Sequence, residues 1–448
     1  MKHESSHRII KRLRLKFNDL PCYLGQFATM VGDRGGAFGE ISTVHLGKGY
    51  KVRDVVISIP GEAVFEQICD AIRAMVGVDL IEVADVVEQV HLAGKIEVKP
   101  RVPVESLDDL SLVYTPGVAS ICNRIHAEPE LAAQYTTIPN NVAIVTNGTA
   151  ILGLGDIGPV AGMPVMEGKA LLFKLLADIN GFPILIDSHD SDEIVAAVRA
   201  IAPTFGAIKL EDIRAPECFE IEDRLDAELD IPVLHDDQHG TAVVVLAALL
   251  SIARTTYLDL KRSTVGIVGL GAAGAGISRL LHAYGVETIY GADINEEMIT
   301  RFQARGGQPT DLDGVMEQAE IVIATTGVPG LIRPETVRPD QVILALSNPD
   351  PEIRPEVAVA AGAQFAADGK AVNNALAFPG LFKGALQARA TRINNAMKIA
   401  AATTIASFVE GEDLVPGILD LRVHQAVAEA VERAALKTGV VRFVPDVS

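Results

Sequence analysis

The apolar positions at the start of the chain change period repeatedly. Ile9 to Phe17 alternates with period two, as a half-buried strand does. Tyr23 to Val31 has helical spacing, and Gly32 to Gly36 breaks it. Glu40 to Leu46 and Val52 to Ile59 are strand-like and flank the turn Gly47-Lys48-Gly49. Val64 to Met75 is helical, and Leu80 to Val86 is a last strand. The predicted order is β-α-β-β-α-β, a ferredoxin-like arrangement. Val98 to Asp108 is polar and proline-bearing and reads as a linker. Beyond it, the strand candidates Asn141 to Val145, Pro183 to Asp187, Ala207 to Leu210 and Ile231 to Leu234 alternate with helical stretches. Such alternation predicts a mainly parallel sheet covered on both faces. Residues 262 to 380 repeat the α/β pattern. Leu381 to Val409 reads as one helix or two, and Val423 to Leu436 as another.

The expectation is an α/β protein of three parts: residues 1–92, 93–255 and 256–448. The net charge of −19 argues against nucleic acid, because phosphate binding needs a concentrated basic surface. One basic run, His7 to Lys16, lies in the first strand region and reads as a solvated strand face or a weak anionic contact. The four cysteines form no C-x-x-C pair, which suits a reducing cytoplasm. The N-terminus is polar and basic without an apolar signal core, so no secretion is expected. The longest apolar run, Thr241 to Leu250, is too short to span a bilayer, so no membrane partner is expected.

Two strand candidates end in acidic pairs, Glu211-Asp212 and Asp236-Asp237. Carboxylates at the carboxyl ends of parallel strands face the crevice where open α/β sheets bind ligands. Such a set, with no partner cysteine, favours a hard divalent cation, Mg2+ or Mn2+. The alternative is a pair of solvated loop residues or helix N-caps. A dinucleotide fingerprint follows: Gly269-Leu-Gly271-Ala272-Ala273-Gly274, after an apolar strand and before a helix. The next strand ends at Asp293, about twenty residues on, where a carboxylate binds both ribose hydroxyls and repels a 2′-phosphate. Ile294-Asn-Glu-Glu297 continues the negative charge, so NAD is favoured over NADP. A second match, Gly153-Leu-Gly155-Asp-Ile-Gly158, runs into Pro159 and Pro164. No clean helix is expected there, and it reads as a backbone turn near the substrate.

The first part of the chain resembles an ACT domain, the small regulatory module of many metabolic enzymes. ACT modules often carry glycine in the loop after the first strand, where this chain has Asn18-Asp-Leu-Pro-Cys22. Assembly is therefore expected as readily as binding of a small-molecule effector.

Several ordered segments resemble malic enzyme, the short bacterial type most of all. They are Tyr114-Thr-Pro-Gly-Val-Ala119, Gly148 to Pro159, Pro164-Val-Met-Glu-Gly-Lys-Ala170, Leu210-Glu-Asp212, His235-Asp-Asp-Gln-His-Gly-Thr241, Leu346-Ser-Asn-Pro349 and Asn373 to Gly380. The resemblance implies NAD-linked oxidative decarboxylation of malate to pyruvate and CO2. That chemistry needs a base for the C2 hydroxyl, a divalent Lewis acid and an acid for the enol carbon. By resemblance Lys169 is the base, Tyr114 the acid, Glu211, Asp212 and Asp237 the metal ligands, and Asp236 the carboxylate that orients the base. A lysine base needs its pKa lowered by desolvation or nearby positive charge, and Gly168 and the apolar run Ala170 to Phe173 around Lys169 suit a partly buried amine. Lys174, five positions on, would point elsewhere on a helix. Thr326 and Asn348 are assigned to the cofactor, and Asn348 and Asn374 to the substrate carboxylate or the nicotinamide carboxamide. For Asn373 the alternative is a structural role. His235 and His239, at i and i+4, would suit zinc on a helix, but hydrogen bonds within a loop are expected instead. Ala150 stands where the large animal-type enzymes place a substrate-gripping arginine, so the second carboxylate must be held otherwise. A homodimer or higher homo-oligomer is expected. The rival readings are a non-decarboxylating 2-hydroxy-acid dehydrogenase and a catalytically silent metabolite sensor.

Overall fold

In the computed structural model of the protein, residues 8–442 are described, apart from 152, 257 and 412. Two compact units emerge, Met1–Lys95 and Ile96–Ser448.

The first unit has the β-α-β-β-α-β order read from the sequence. Its strands are β1 (Ile9–Asn18), β2 (Ala37–Gly47), β3 (Tyr50–Ile59) and β4 (Val78–Asp85), with helices Tyr23–Gly32 and Glu62–Ala74. The sheet order is β2-β3-β1-β4, all antiparallel. Alternation in β1 sends Leu13, Leu15 and Phe17 into a core with Phe27, Ile68 and Ile72. The other face carries the basic run. There Arg14 grips Asp54 through two nitrogens at 2.7 and 2.9 Å and reaches Glu82 at 2.9 Å. The run is thus a neutralised strand face; His7 lies outside the described residues.

The second unit holds two parallel sheets. One comprises β5 (Asn141–Thr146), β6 (Asn180–Leu185), β7 (Ala207–Leu210) and β8 (Val233–His235), in the order β6-β5-β7-β8. The other comprises β9 (Thr264–Val268), β10 (Thr288–Ala292), β11 (Gln308–Pro309), β12 (Ile321–Ala324), β13 (Val342–Ala345) and β14 (Phe365–Asp368). Its order, β11-β10-β9-β12-β13-β14, is that of a Rossmann dinucleotide fold. The stretch after Leu381 resolves into two helices, Phe378–Gln387 and Asn395–Ser407, followed by Leu421–Thr438.

Two expectations are corrected. A helix does start after the Gly153 to Gly158 turn: it runs Pro159–Ala177 and carries Lys169. Proline is tolerated at the first helical position, where its missing N–H costs nothing. The segment after β8 is helical from Asp236 onward, within Asp236–Thr256. That helix also contains the apolar run Thr241 to Leu250. By length and composition it could cross a membrane, but 67% of its most apolar window is buried inside the protein, which accounts for its hydrophobicity.

This buried helix crosses Ala272–Tyr284 at close range. A Cβ on Gly276 would lie 2.1 Å from the Gln238 carbonyl oxygen, so two backbones meet where a side chain cannot fit. Gly276→Ala is expected to cost about 1–3 kcal/mol by overpacking, measured as a lowered denaturation midpoint. An unchanged midpoint would show that the helices separate freely.

Candidate active site

The acidic pairs converge because β7 and β8 are neighbours in one parallel sheet. Their register places Leu210 beside His235, so the residues that follow each strand emerge at the same edge. The Asp212 amide donates to Asp237 Oδ2 at 3.0 Å. Ligand atoms of Glu211, Asp212 and Asp237 all lie within 4.8 Å of one another. Asp212 adopts φ +52°, a left-handed conformation that side chains rarely take and that clusters at functional sites. Its Oδ2 is buried and has no hydrogen-bond partner. Burial and the Asp237 carboxylate push the Asp212 pKa up to about 7. An unpartnered buried acceptor among three clustered carboxylates fits a hard divalent cation, and these residues could hold one.

Lys169 enters this edge from its helix. Its Nζ lies 2.8 Å from Glu211 Oε1, 2.9 Å from Asp236 Oδ2 and 3.3 Å from Asn374 Oδ1, over the Phe378 ring. Asp236 is fully buried and also accepts from Asn374 Nδ2 at 2.8 Å. Burial alone would raise the Asp236 pKa, but Lys169 and Lys209 hold it below the usual range. Burial would lower Lys169, yet Asp236 and Asp237 outweigh it and leave the amine above its ordinary value. The expected depression of the Lys169 pKa is therefore corrected for the protein's own groups. Positive charge added at the carboxylates would weaken their hold and lower the amine. Lys174 is exposed and paired with Asp178.

Lys209 was not anticipated. It is fully buried in β7, paired with Glu211 and 3.0 Å from Asp236 Oδ2. Burial drives its pKa down to about 7, against the pull of Asp236. The signal was present: period two along a strand puts Lys209 and Glu211 on one face.

Other candidates separate. Tyr114 follows the helix Leu107–Val113, is 66% exposed, and its hydroxyl makes no hydrogen bond among the described residues. Among the described residues no hydrogen bond joins it to Lys169, whose partners are Asp236, Asn374 and Glu211. His239 bonds Glu222 through Nε2 at 3.1 Å and Lys398 through Nδ1 at 2.9 Å, and burial lowers its pKa to about 4. Both its nitrogens are used, which leaves none for zinc. His235 is not hydrogen-bonded as expected: neither ring nitrogen has such a partner, and Nε2 stands 3.6 Å from Asp237 Oδ2. Asn373 caps the Ala375 amide.

At the second sheet, Gly269 has φ +90°, and a Cβ on Gly274 would lie 1.9 Å from the Gly269 carbonyl oxygen. Gly271 precedes the helix Ala272–Tyr284, whose first residues are Ala272 and Ala273. Asp293 Oδ2 accepts from the Leu270 amide at 2.6 Å and Oδ1 from Asn295 at 2.8 Å. The acidic residue thus sits against the glycine turn. Thr326 and Asn348 lie beyond the ends of β12 and β13.

Comparison with known proteins decides the family. The chain is 54% identical to NAD-dependent malic enzyme 1 of Bacillus subtilis (strain 168) over 430 residues, covering 96% of this chain and 98% of that protein. The chain belongs to the malic enzyme family. Residues 93–226 match the malic enzyme N-terminal domain and residues 359–436 the malic enzyme NAD-binding domain. Residues 247–329, which hold the fingerprint, match the NAD-binding domain of D-isomer specific 2-hydroxyacid dehydrogenases. The NAD-dependent malic enzyme of Geobacillus stearothermophilus is 42% identical, covering 96% of this chain and 95% of that protein. The crystal structure of malic enzyme from Pyrococcus horikoshii superposes with a TM-score of 0.75 at 40% identity, covering 80% of this chain and 93% of that one. This malic enzyme is an oxidoreductase that carries the family's NAD-binding domain.

Proposed function

We propose that this chain oxidises and decarboxylates (S)-malate to pyruvate and CO2 with NAD+ and a divalent metal, Mg2+ or Mn2+. The observation that carries this reading is Lys169 held between Glu211 and Asp236, beside three carboxylates with an unpartnered buried oxygen. Bound there, a nicotinamide would supply the hydride acceptor for C2 and a divalent metal would supply Lewis acidity at the C2 oxygen. Glu211, Asp212 and Asp237 would hold that metal. Lys169 removes the C2 hydroxyl proton, oriented by Asp236 and Asn374. Tyr114 returns a proton to C3 of the enol after CO2 leaves. The glycine turn Gly269 to Gly274 receives the pyrophosphate, Asp293 the ribose, and Thr326 and Asn348 the nicotinamide end.

Tyr114 serves this role from a second copy of the chain. It is exposed in a run of exposed apolar side chains, Leu107, Leu110, Leu112 and Val113, which a free surface does not favour. A homo-oligomer covers that run and delivers the phenol to the neighbour's Lys169. The working parts are residues 1–92, 93–255 and 256–448, and the compartment is the cytoplasm. The N-terminal unit serves assembly or binds a small-molecule effector. A chain starting at Val98 is expected to keep NAD binding but lose oligomer order or effector response, as read by light scattering and by rates with candidate amino acids.

The reading is tested by malate-dependent NADH formation with pyruvate detection, with and without EDTA and Mn2+. Accumulation of oxaloacetate in place of pyruvate would favour a simple 2-hydroxy-acid dehydrogenase. In the same assay, Asp293→Ser with Asn295→Arg is expected to shift kcat/KM toward NADP, because a repelling carboxylate is replaced by a phosphate-pairing cation. A wild-type preference for NADP would overturn the role given to Asp293.

A further inference from the structure

Glu352 is fully buried beyond the end of β13. Its Oε1 accepts from the Thr326 amide at 2.6 Å, the Thr326 hydroxyl at 2.9 Å and the Ser347 hydroxyl. Its Oε2 accepts from the Ser347 amide at 3.3 Å. The Ser347 hydroxyl in turn accepts from the Gly327 amide at 2.7 Å. One carboxylate therefore joins the loop after β12 to the loop after β13.

These loops leave adjacent strands at the carboxyl edge of the sheet, where dinucleotides bind. The first abuts the fingerprint: a Cβ on Gly269 would meet the Thr325 carbonyl oxygen at 2.8 Å and Thr326 Cγ2 at 3.2 Å. The second reaches the turn before the Lys169 helix, with the Asn348 carbonyl oxygen 3.4 Å from the Cβ position of Gly153. A carboxylate taken out of water is costly, and it persists where fixed donors converge on it.

We infer that Glu352 is a positioning residue, which staples the Thr326 loop to the Ser347–Asn348 loop and so sets the nicotinamide against the Lys169 site. This rests on the proposed cofactor role of Thr326 and Asn348. The geometry predicts an unusual order of variants. Three donors converge on Oε1, so an amide that keeps its oxygen there retains them. Aspartate keeps the charge but draws the carboxylate back by one methylene.

The experiment measures NADH affinity by fluorescence, and the kinetic isotope effect with malate deuterated at C2, in the full chain. Losing a charge-assisted hydrogen-bond set is expected to raise the NADH Kd roughly 10–100-fold in Glu352→Ala. The same variant should raise the isotope effect, as hydride transfer slows. Glu352→Gln should lose less than Glu352→Asp on both readouts. If Glu352→Ala does not fold, the Gln and Asp variants decide alone. Equal behaviour of Gln and Asp, or a better Asp variant, overturns the inference, because charge or bulk would then matter more than placement. Asn348→Ala separates the two readings. If it leaves NADH affinity and the isotope effect unchanged, the loop assignment fails and the inference with it. If it weakens binding while the Glu352 variants do not, only the positioning role fails.

Discussion

Asp237→Ala is expected to abolish malate oxidation in a protein that still folds. Asp237 stands at the more open side of the carboxylate triad, so its removal leaves the sheet core untouched, while Glu211 and Asp212 remain. Loss of a direct ligand should exceed the roughly 10–100-fold weakening caused by loss of an outer partner. The check is Mn2+ affinity by electron paramagnetic resonance together with turnover. Full Mn2+-dependent activity in folded Asp237→Ala would sink the assignment.

The same triad carries a pH signature. In the proposed site a cation would bind the ionised form of Asp212, whose pKa is pushed up to about 7 by burial and Asp237. Mn2+ affinity should therefore fall as the pH drops below about 7. The stability sign is the reverse. A folded-state pKa raised above the unfolded value favours the protonated fold, so the metal-free protein loses stability as the pH rises from the unfolded Asp value through about 7. Added metal should restore it, as a thermal shift that grows with pH.

Lys169→Ala and Tyr114→Phe should each cut turnover by about 10²–10⁴-fold, the usual contribution of a positioned acid or base. The two losses differ in kind. Lys169→Ala should block oxidation of malate, whereas Tyr114→Phe should slow deuterium exchange at C3 of pyruvate. Co-assembly of the two inactive chains then distinguishes a site built within one chain from one built across two. If the phenol comes from a partner, a mixed dimer concentrates both defects in one site and leaves the other intact, so activity returns. If both residues act within one chain, no intact site forms and the mixture stays inactive. An inactive mixture of verified mixed dimers would refute delivery of Tyr114 from a second copy.

Much of this protein is legible in its sequence alone. Period-two and helical spacing locate the strands and helices because burial on one face imposes those repeats. The glycine fingerprint ending at Asp293 announces a dinucleotide fold because only glycine permits the close backbone approaches seen at Gly269 and Gly274. The acidic pairs announce a site because parallel strands deliver their carboxyl ends to one crevice.

Tertiary structure decided the rest. Lys209 reads as one more lysine until β7 buries it between Glu211 and Asp236. Glu352 reads as a loop acid until two loops converge on it. His235 and His239 share a metal-like spacing, yet Glu222 and Lys398 take up the nitrogens of His239. Tyr114 matches the family's motif by sequence, yet its side chain is exposed and its hydroxyl makes no hydrogen bond among the described residues. Sequence determined the elements and the chemical types, since both follow from local periodicity and side-chain chemistry. Which charges meet depends on packing between residues far apart in the chain, and that pairing sets each group's protonation and partner.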